Sequence, residues 1–203
     1  MRIKAVISLV AAVSFCVGLG GYILLSTTDD VAATEFFPPK ELTPFILQDQ
    51  NGHAFTNANL QRHWSLLFLG YTHCPDLCPA TLSRLASIYP KLVDSAKVPV
   101  QVLFLTADPG QDTAKRLKLY TQFFDPDIVG LRCSMPQLLA LTKELGLSFH
   151  MDGNHRLIYT ASVLLINPKG QLAAVFNPQT LNLPVIDSQQ LLHDFDAITA
   201  HYL

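Results

Sequence analysis

The chain predicts an α/β fold, a mixed sheet with helices on both faces, preceded by one N-terminal transmembrane helix. Three observations predict it. Short apolar runs alternate with amphipathic helical patterns through the middle of the chain, two strand-like runs flank the turn Pro168-Lys169-Gly170 near its end, and residues 5–25 carry no charge. Alternating strands and helices followed by an antiparallel hairpin and a helix imply a sheet with both strand senses, covered on both faces. With 203 residues, 49% of them hydrophobic, the chain is long enough for one sizeable domain and an appendage.

The appendage comes first. Arg2 and Lys4 precede the apolar stretch, and Asp29, Asp30 and Glu35 follow it. About twenty apolar residues span a bilayer core, and the basic flank stays in the cytoplasm, so residues 1–25 read as an inner-membrane anchor with the rest of the protein outside. A cleaved signal peptide is the rival reading, with Ala32-Ala33 as a late cleavage site, although its apolar region usually runs only about 7–15 residues. Cys16 lies within the span. Residues 26–40 are polar, end in Phe36-Phe37-Pro38-Pro39 and read as a linker, which leaves 41–203 as the domain. Setting aside Arg2 and Lys4 leaves twelve lysines and arginines against sixteen acids, so the exported part is mildly acidic and nothing suggests nucleic acid.

Within the domain, residues 45–61, centred on Asn51-Gly52, predict a hairpin. Residues 64–69 read as a short buried strand bounded by Gly70. After Pro79, which suits a first helical position, Leu82, Leu85, Ile88, Tyr89, Leu92 and Val93 fall on one helix face. Residues 98–106 alternate β-branched and aromatic side chains and read as a second strand. Asp112 begins a helix with Leu117, Tyr120 and Phe124 on its face. Ser134 and Gln137 form a capping box for another, with Leu138, Leu141 and Leu145 inward and Gly146 at its end. Residues 161–167 and 171–176 make the hairpin about Pro168, and 188–201 close the chain with a helix carrying Leu191, Leu192, Phe195 and Ile198. A thioredoxin-like architecture fits this order.

Chemistry concentrates in Gly70-Tyr71-Thr72-His73-Cys74-Pro75-Asp76-Leu77-Cys78-Pro79, between the first strand and its helix. The expected helix start places Cys78 near the N-cap and Cys74 in the loop before it. There the positive end of the helix dipole and free backbone N–H groups favour thiolate, which is both nucleophile and soft metal ligand. Two inert buried cysteines, or a plain structural disulfide, are the bland alternatives. Outside a cytoplasmic membrane disulfides persist, so a reversible Cys74–Cys78 pair is chemically sound.

This loop resembles the signature of the Sco/SenC proteins, membrane-tethered thioredoxin-fold copper proteins linked to cytochrome c oxidase assembly. Asp49-Gln50-Asn51-Gly52 followed by Trp64-Ser65-Leu66-Leu67-Phe68 is similar to that family's entry segment, Asp108-Pro109 through Asp112-Thr113 to its second loop, and Phe124-Asp125-Pro126 to the end of its second helix. The resemblance runs from about Leu42 to the C-terminus. It implies copper held by Cys74, Cys78 and a distant histidine, with the two cysteines also cycling between dithiol and disulfide. Thiolates suit Cu(I), and an imidazole suits either copper state. It implies as partners the copper subunit of a respiratory oxidase or other periplasmic thiol or copper proteins.

The third ligand departs from the pattern. The resemblance places the histidine nine residues before the hairpin proline, and counting back from Pro168 reaches Tyr159. His155 lies four residues further upstream, roughly 13 Å of extended chain, and His150 further still. Tyr159 as a phenolate ligand, His155 or His150 reaching in from the turn-like Asp152-Gly153-Asn154, and a site confined to thiol chemistry all stay open. His73 is read as an aid to lowering the cysteine pKa rather than as a ligand, Asp108 as a turn cap and Cys133 as a small buried hydrophobe. The expected function is therefore a membrane-tethered Sco-like protein assisting copper-centre maturation through copper handling, thiol–disulfide exchange or both. A thiol:disulfide oxidoreductase binding little or no copper is the alternative, and a factor that acts by docking alone is a third.

Overall fold

The computed structural model describes residues 31–151, 157–159, 161–178 and 185–202. In chain order its elements are β1 (Thr34–Lys40), β2 (Ile46–Asp49), β3 (Ala54–Thr56), α1 (Asn57–Leu60), β4 (Trp64–Gly70), α2 (Leu77–Ser95), β5 (Val100–Thr106), α3 (Ala114–Phe124), β6 (Val129–Arg132), α4 (Met135–Glu144), β7 (Phe149–Met151), β8 (Leu157–Tyr159), β9 (Val163–Ile166), β10 (Leu172–Phe176) and α5 (Ser188–Ala200). Eight strands form one sheet in the order β1-β10-β9-β4-β5-β6-β2-β3, and β7 and β8 form a separate ribbon. β4, β5 and β6 are parallel, and the other pairings are antiparallel, the mixed sheet that the sequence predicts.

All seven residues of β4 are buried, as expected of a central strand covered on both faces. Its side chains divide by parity. Leu66 and Phe68 join one apolar cluster with Leu82, Leu85 and Leu92 of α2, Leu117 of α3 and Phe195 of α5. Leu67 and Leu69 join the opposite cluster with Leu60 of α1 and Leu138 and Leu141 of α4. Fixing both faces of β4 fixes where it ends, at Gly70, and hence where the cysteine loop starts.

The hairpin about Asn51-Gly52 is β2–β3, and Gly52 takes a φ of 88°, a conformation glycine adopts without steric cost. The Ser134 and Gln137 side chains make the expected capping box. Val93, expected inward, is 43% exposed, since the buried face of α2 keeps to Leu82, Leu85, Ile88 and Leu92.

Residues 34–40 correct the expectation of a linker running to residue 40. They form β1, paired antiparallel with β10 through Thr34–Val175, Glu35–Ala174 and Lys40–Leu172. Pro38 and Pro39 are tolerated because β1 is an edge strand whose register shifts between Glu35 and Lys40. Ahead of β1, the buried carboxylate of Asp194 in α5 accepts the backbone N–H groups of Ala33 at 2.8 Å and Ala32 at 3.3 Å. The compact unit thus begins at Val31, earlier than residue 41. β6 and the β7–β8 ribbon were also absent from the expected order. Each is three or four residues long and carries little pattern of its own. Residues 1–25, expected as the anchor, lie outside the described residues, among which no helix is long and apolar enough to cross a membrane.

Candidate functional site

The loop from Tyr71 to Asp76 joins β4 to α2, and its anchor is Asp112. Fully buried, this carboxylate accepts the Thr72 N–H at 3.0 Å, the Thr72 hydroxyl at 2.5 Å and the Thr106 hydroxyl at 2.5 Å, tying the loop to the end of β5. Asp112 was expected to open a helix. Instead Thr113 caps α3, accepting the Arg116 N–H, and Asp112 is free to face inward. Likewise Asp76, not Cys78, occupies the N-cap of α2, so Cys78 lies in the first turn and Pro79 third in the helix. The helix therefore directs its second N–H, that of Cys78, at the sulfur of Cys74, 3.3 Å away.

Gly70 makes the room for Cys78. A Cβ at position 70 would stand 2.6 Å from the Cys78 sulfur and 2.7 Å from Cε2 of Phe104. Forcing a methyl into a packed core costs about 1–3 kcal/mol. Gly70→Ala is expected to lower the denaturant midpoint accordingly and to disturb the thiol chemistry. Unchanged stability and unchanged cysteine reactivity would contradict this account of Gly70.

Cys74 and Cys78 are free thiols, 8% and 0% exposed. The hydroxyl of Tyr159, from β8, stands 3.0 Å from the Cys78 sulfur and 3.5 Å from that of Cys74. The rings of Phe68 and Tyr71 meet Tyr159 edge-on at 6.2 and 5.9 Å, which holds the phenol over the pair. The two thiols are driven apart. A hydrogen bond from the Cys78 side chain, together with bonds from Tyr159 and the Cys78 N–H, outweighs burial and brings Cys74 down to about 5. Burial first, then the neighbouring Cys74, pushes Cys78 far up. Tyr159 is pushed up too, by burial and then by Cys78, so its phenol keeps its proton.

The consequence is measurable as pH dependence. Deprotonation sets thiol alkylation, so labelling at Cys74 by iodoacetamide should rise through pH 5 and level off near neutrality, with Cys78 unlabelled. A rate that keeps climbing toward pH 9, the range of an ordinary thiol, would remove the asymmetry.

Other candidates fall away from the pair. His73 lies 3.7 Å from Asp112 and faces that carboxylate, so the lowering of Cys74 comes from Cys78 and Tyr159 instead. Asp108 accepts the Gln111 N–H and caps its own turn, as expected. Burial raises Cys133 to about 11, in keeping with an inert half-buried thiol. His150 is exposed and pairs with Ile158, on the opposite side of the β7–β8 ribbon from Phe149 and Tyr159. His155 lies outside the described residues. Among those described, no three His, Cys, Asp or Glu side chains are placed to hold a metal ion. Two sulfurs are a soft donor set that fits Cu(I), whereas a protonated phenol supplies no anionic oxygen to Cu(II).

A family model described as SCO1/SenC matches residues 34–190. A putative copper-binding protein of Stutzerimonas stutzeri is 34% identical over 148 residues, covering 70% of this chain and 72% of its own. The chain spans about half the length of the mitochondrial SCO2 relatives it matches. Among solved structures, yeast Sco1 with copper bound shares 28% identity at a TM-score of 0.67, covering 81% of this chain and 89% of that one. BsSco, described as carrying a disulfide switch and as a member of the Sco family of cytochrome c oxidase assembly proteins, is similar in fold, with a TM-score of 0.65, 18% identity and coverage of 80% and 95%.

Proposed function

The chain belongs to the SCO1/SenC family, and from that premise we propose that it serves the maturation of a respiratory oxidase's copper centre, through thiol–disulfide exchange at Cys74 and Cys78 and carriage of Cu(I) on the same sulfurs. The observation that carries the reading is the Tyr159 phenol within 3.5 Å of both buried sulfurs, whose surroundings hold Cys74 well below the ordinary thiol range and push Cys78 above it. Copper bound to yeast Sco1 and the oxidase-assembly family to which BsSco is ascribed support it.

Exchange starts at Cys74. Its thiolate attacks one sulfur of a partner's disulfide, the partner's S–S bond breaks, and the departing thiolate takes a proton from water. Cys78 then gives up its proton and attacks the Cys74 sulfur, releasing the partner's second thiol and closing a Cys74–Cys78 disulfide. The partner gains two electrons and two protons, and a dithiol protein outside the membrane returns them to this chain. Tyr159 O–H donates to whichever sulfur carries the charge. With the partner's cysteines reduced, they are competent to receive copper.

Residues 1–25, with Arg2 and Lys4 on the cytoplasmic flank, anchor the domain on the outer side of the membrane in this reading. A second reading, exchange with little or no copper bound, is favoured by the protonated phenol of Tyr159 standing 3.0 Å from the Cys78 sulfur. Titration of the reduced full chain with Cu(I) against a competing chelator separates the two. One Cu(I) per chain, lost in Cys74→Ser and in Cys78→Ser, is expected; uptake that survives in the double variant sinks the carriage half. His155→Ala in the same titration assigns the third ligand: a fall in affinity places His155 on the metal, and none leaves the two sulfurs sufficient.

A further inference from the structure

Helix α3 has a second apolar face that the core does not use. Its inward side chains include Leu117 and Thr121, both buried, yet Leu119 is 66% and Phe123 82% exposed, four residues apart on one side. The same helix, Ala-Lys-Arg-Leu-Lys-Leu-Tyr-Thr-Gln-Phe-Phe, has three cations and no acid in a chain of net charge −2. Lys118 donates to Asn51, whereas Lys115 and Arg116 are exposed and form no ion pair among the described residues. Between this face and the cysteine loop lies an open groove of about 490 Å³, walled by Thr72 and His73 on one side and by Lys115, Arg116, Leu119 and Phe123 on the other.

We propose that this groove is the docking surface for an acidic, apolar extended segment of the exchange partner, which lays its carboxylates on Lys115 and Arg116 and an apolar side chain against Leu119 and Phe123. The proposal rests on the exchange reading above and adds which partners the site accepts. Three features carry it. Exposed large apolar side chains rimmed by charge mark interaction surfaces. Two exposed cations, unpaired among the described residues, select for negative charge and speed its arrival. The groove is also walled by Thr72 and His73 of the loop bearing Cys74, so a segment seated in it runs along that loop, whereas a flat lipid surface would not enter between His73 and the helix.

The experiment uses the reduced full chain and three disulfides: bis(2-hydroxyethyl) disulfide as a small neutral control, and two synthetic peptides with the same internal disulfide, one flanked by Glu and Leu, the other by Lys and Ser. Reduction of the acidic peptide is expected to be faster by about tenfold or more, a steering effect that shrinks as salt rises. In Lys115→Glu/Arg116→Glu and in Leu119→Ser/Phe123→Ser that preference should disappear while the rate with bis(2-hydroxyethyl) disulfide holds. Normal reduction of the small disulfide but equal rates for the two peptides overturns the docking surface alone, whether the face meets lipid, a second copy of the chain or nothing. A preference that survives in both double variants overturns it as well. No reduction even of the small disulfide overturns the exchange reading, and the docking proposal with it.

Discussion

Replacing Cys78 with serine is expected to turn the chain into one that captures disulfide partners and fails to release them. Cys74 is the less buried of the two sulfurs and the one that the N-terminus of α2 supplies with an N–H. In Cys78→Ser that N–H and the Tyr159 phenol remain, and a serine hydroxyl still stands beside Cys74, so much of the support for its thiolate survives. The first attack proceeds, and the second has no nucleophile. Well-oriented intramolecular groups act at effective concentrations of roughly 10⁵ M or more. Without the resolving thiol, release waits on external thiol and is expected to slow by several orders of magnitude. In a Cys16→Ala, Cys133→Ala background, intact mass measurement of Cys78→Ser mixed with a disulfide peptide should show the covalent adduct accumulating, and Cys74→Ser should show none. Accumulation in Cys74→Ser instead would invert the order of attack and with it the meaning of the asymmetry between the thiols.

The parts of the fold that the sequence made legible are those whose signals are local. The apolar run of β4, the face of α2, the capping box of Ser134 and Gln137 and the turn after Asn167 each depend on residues a few positions apart. β1 is the opposite case. Its strand character comes from pairing with Val175 and Ala174, far along the chain, and Pro38-Pro39 gives the local signature of a linker. Asp112 illustrates the same limit within the site. A carboxylate just ahead of a helix reads as a cap, and nothing nearby in sequence says that Thr72 will converge on it from forty residues away.

For the two cysteines, position was legible and environment was not. Strand, loop and helix placed them at a helix N-terminus, but which thiol is held low and which is pushed up depends on the Cys78 side chain, on Tyr159 and on burial, none of them local signals. With Asp76 as the cap, the N–H of Cys78 serves the sulfur of Cys74, and Cys78 itself points into the space left by Gly70. Tyr159 was located by counting back from Pro168. What it does there required the ribbon, because Tyr159 belongs to β8, pairs with Phe149 and presents its hydroxyl to both sulfurs at once.

Tyr159→His is expected to strengthen Cu(II) binding by the chain. The phenol has the right location for a third donor and the wrong acid–base chemistry. Burial and the adjacent sulfurs raise it well above the usual tyrosine range, so at neutral pH it remains an O–H, a group that donates to thiolate and does not replace a metal's water ligand. An imidazole in that place, with a reference pKa of about 6.5, carries a neutral nitrogen lone pair at pH 7 and suits Cu(II), whereas the two sulfurs alone suit Cu(I). Partners outside the first coordination sphere are already worth about 10–100-fold in metal affinity, so a gained direct ligand should strengthen Cu(II) binding by more than about tenfold. A sulfur-to-copper absorption band should appear in the visible spectrum, and Cu(I) affinity should change less. Tyr159→Phe is the companion variant. It keeps the ring against Phe68 and Tyr71 but removes the donor, and it should move the midpoint of Cys74 alkylation upward, because one of the bonds holding that thiol low is lost. Equal Cu(II) affinity in the unsubstituted chain and in Tyr159→His would mean that another side chain, His155 first among them, already completes the site, and that the phenol is a bystander to the metal.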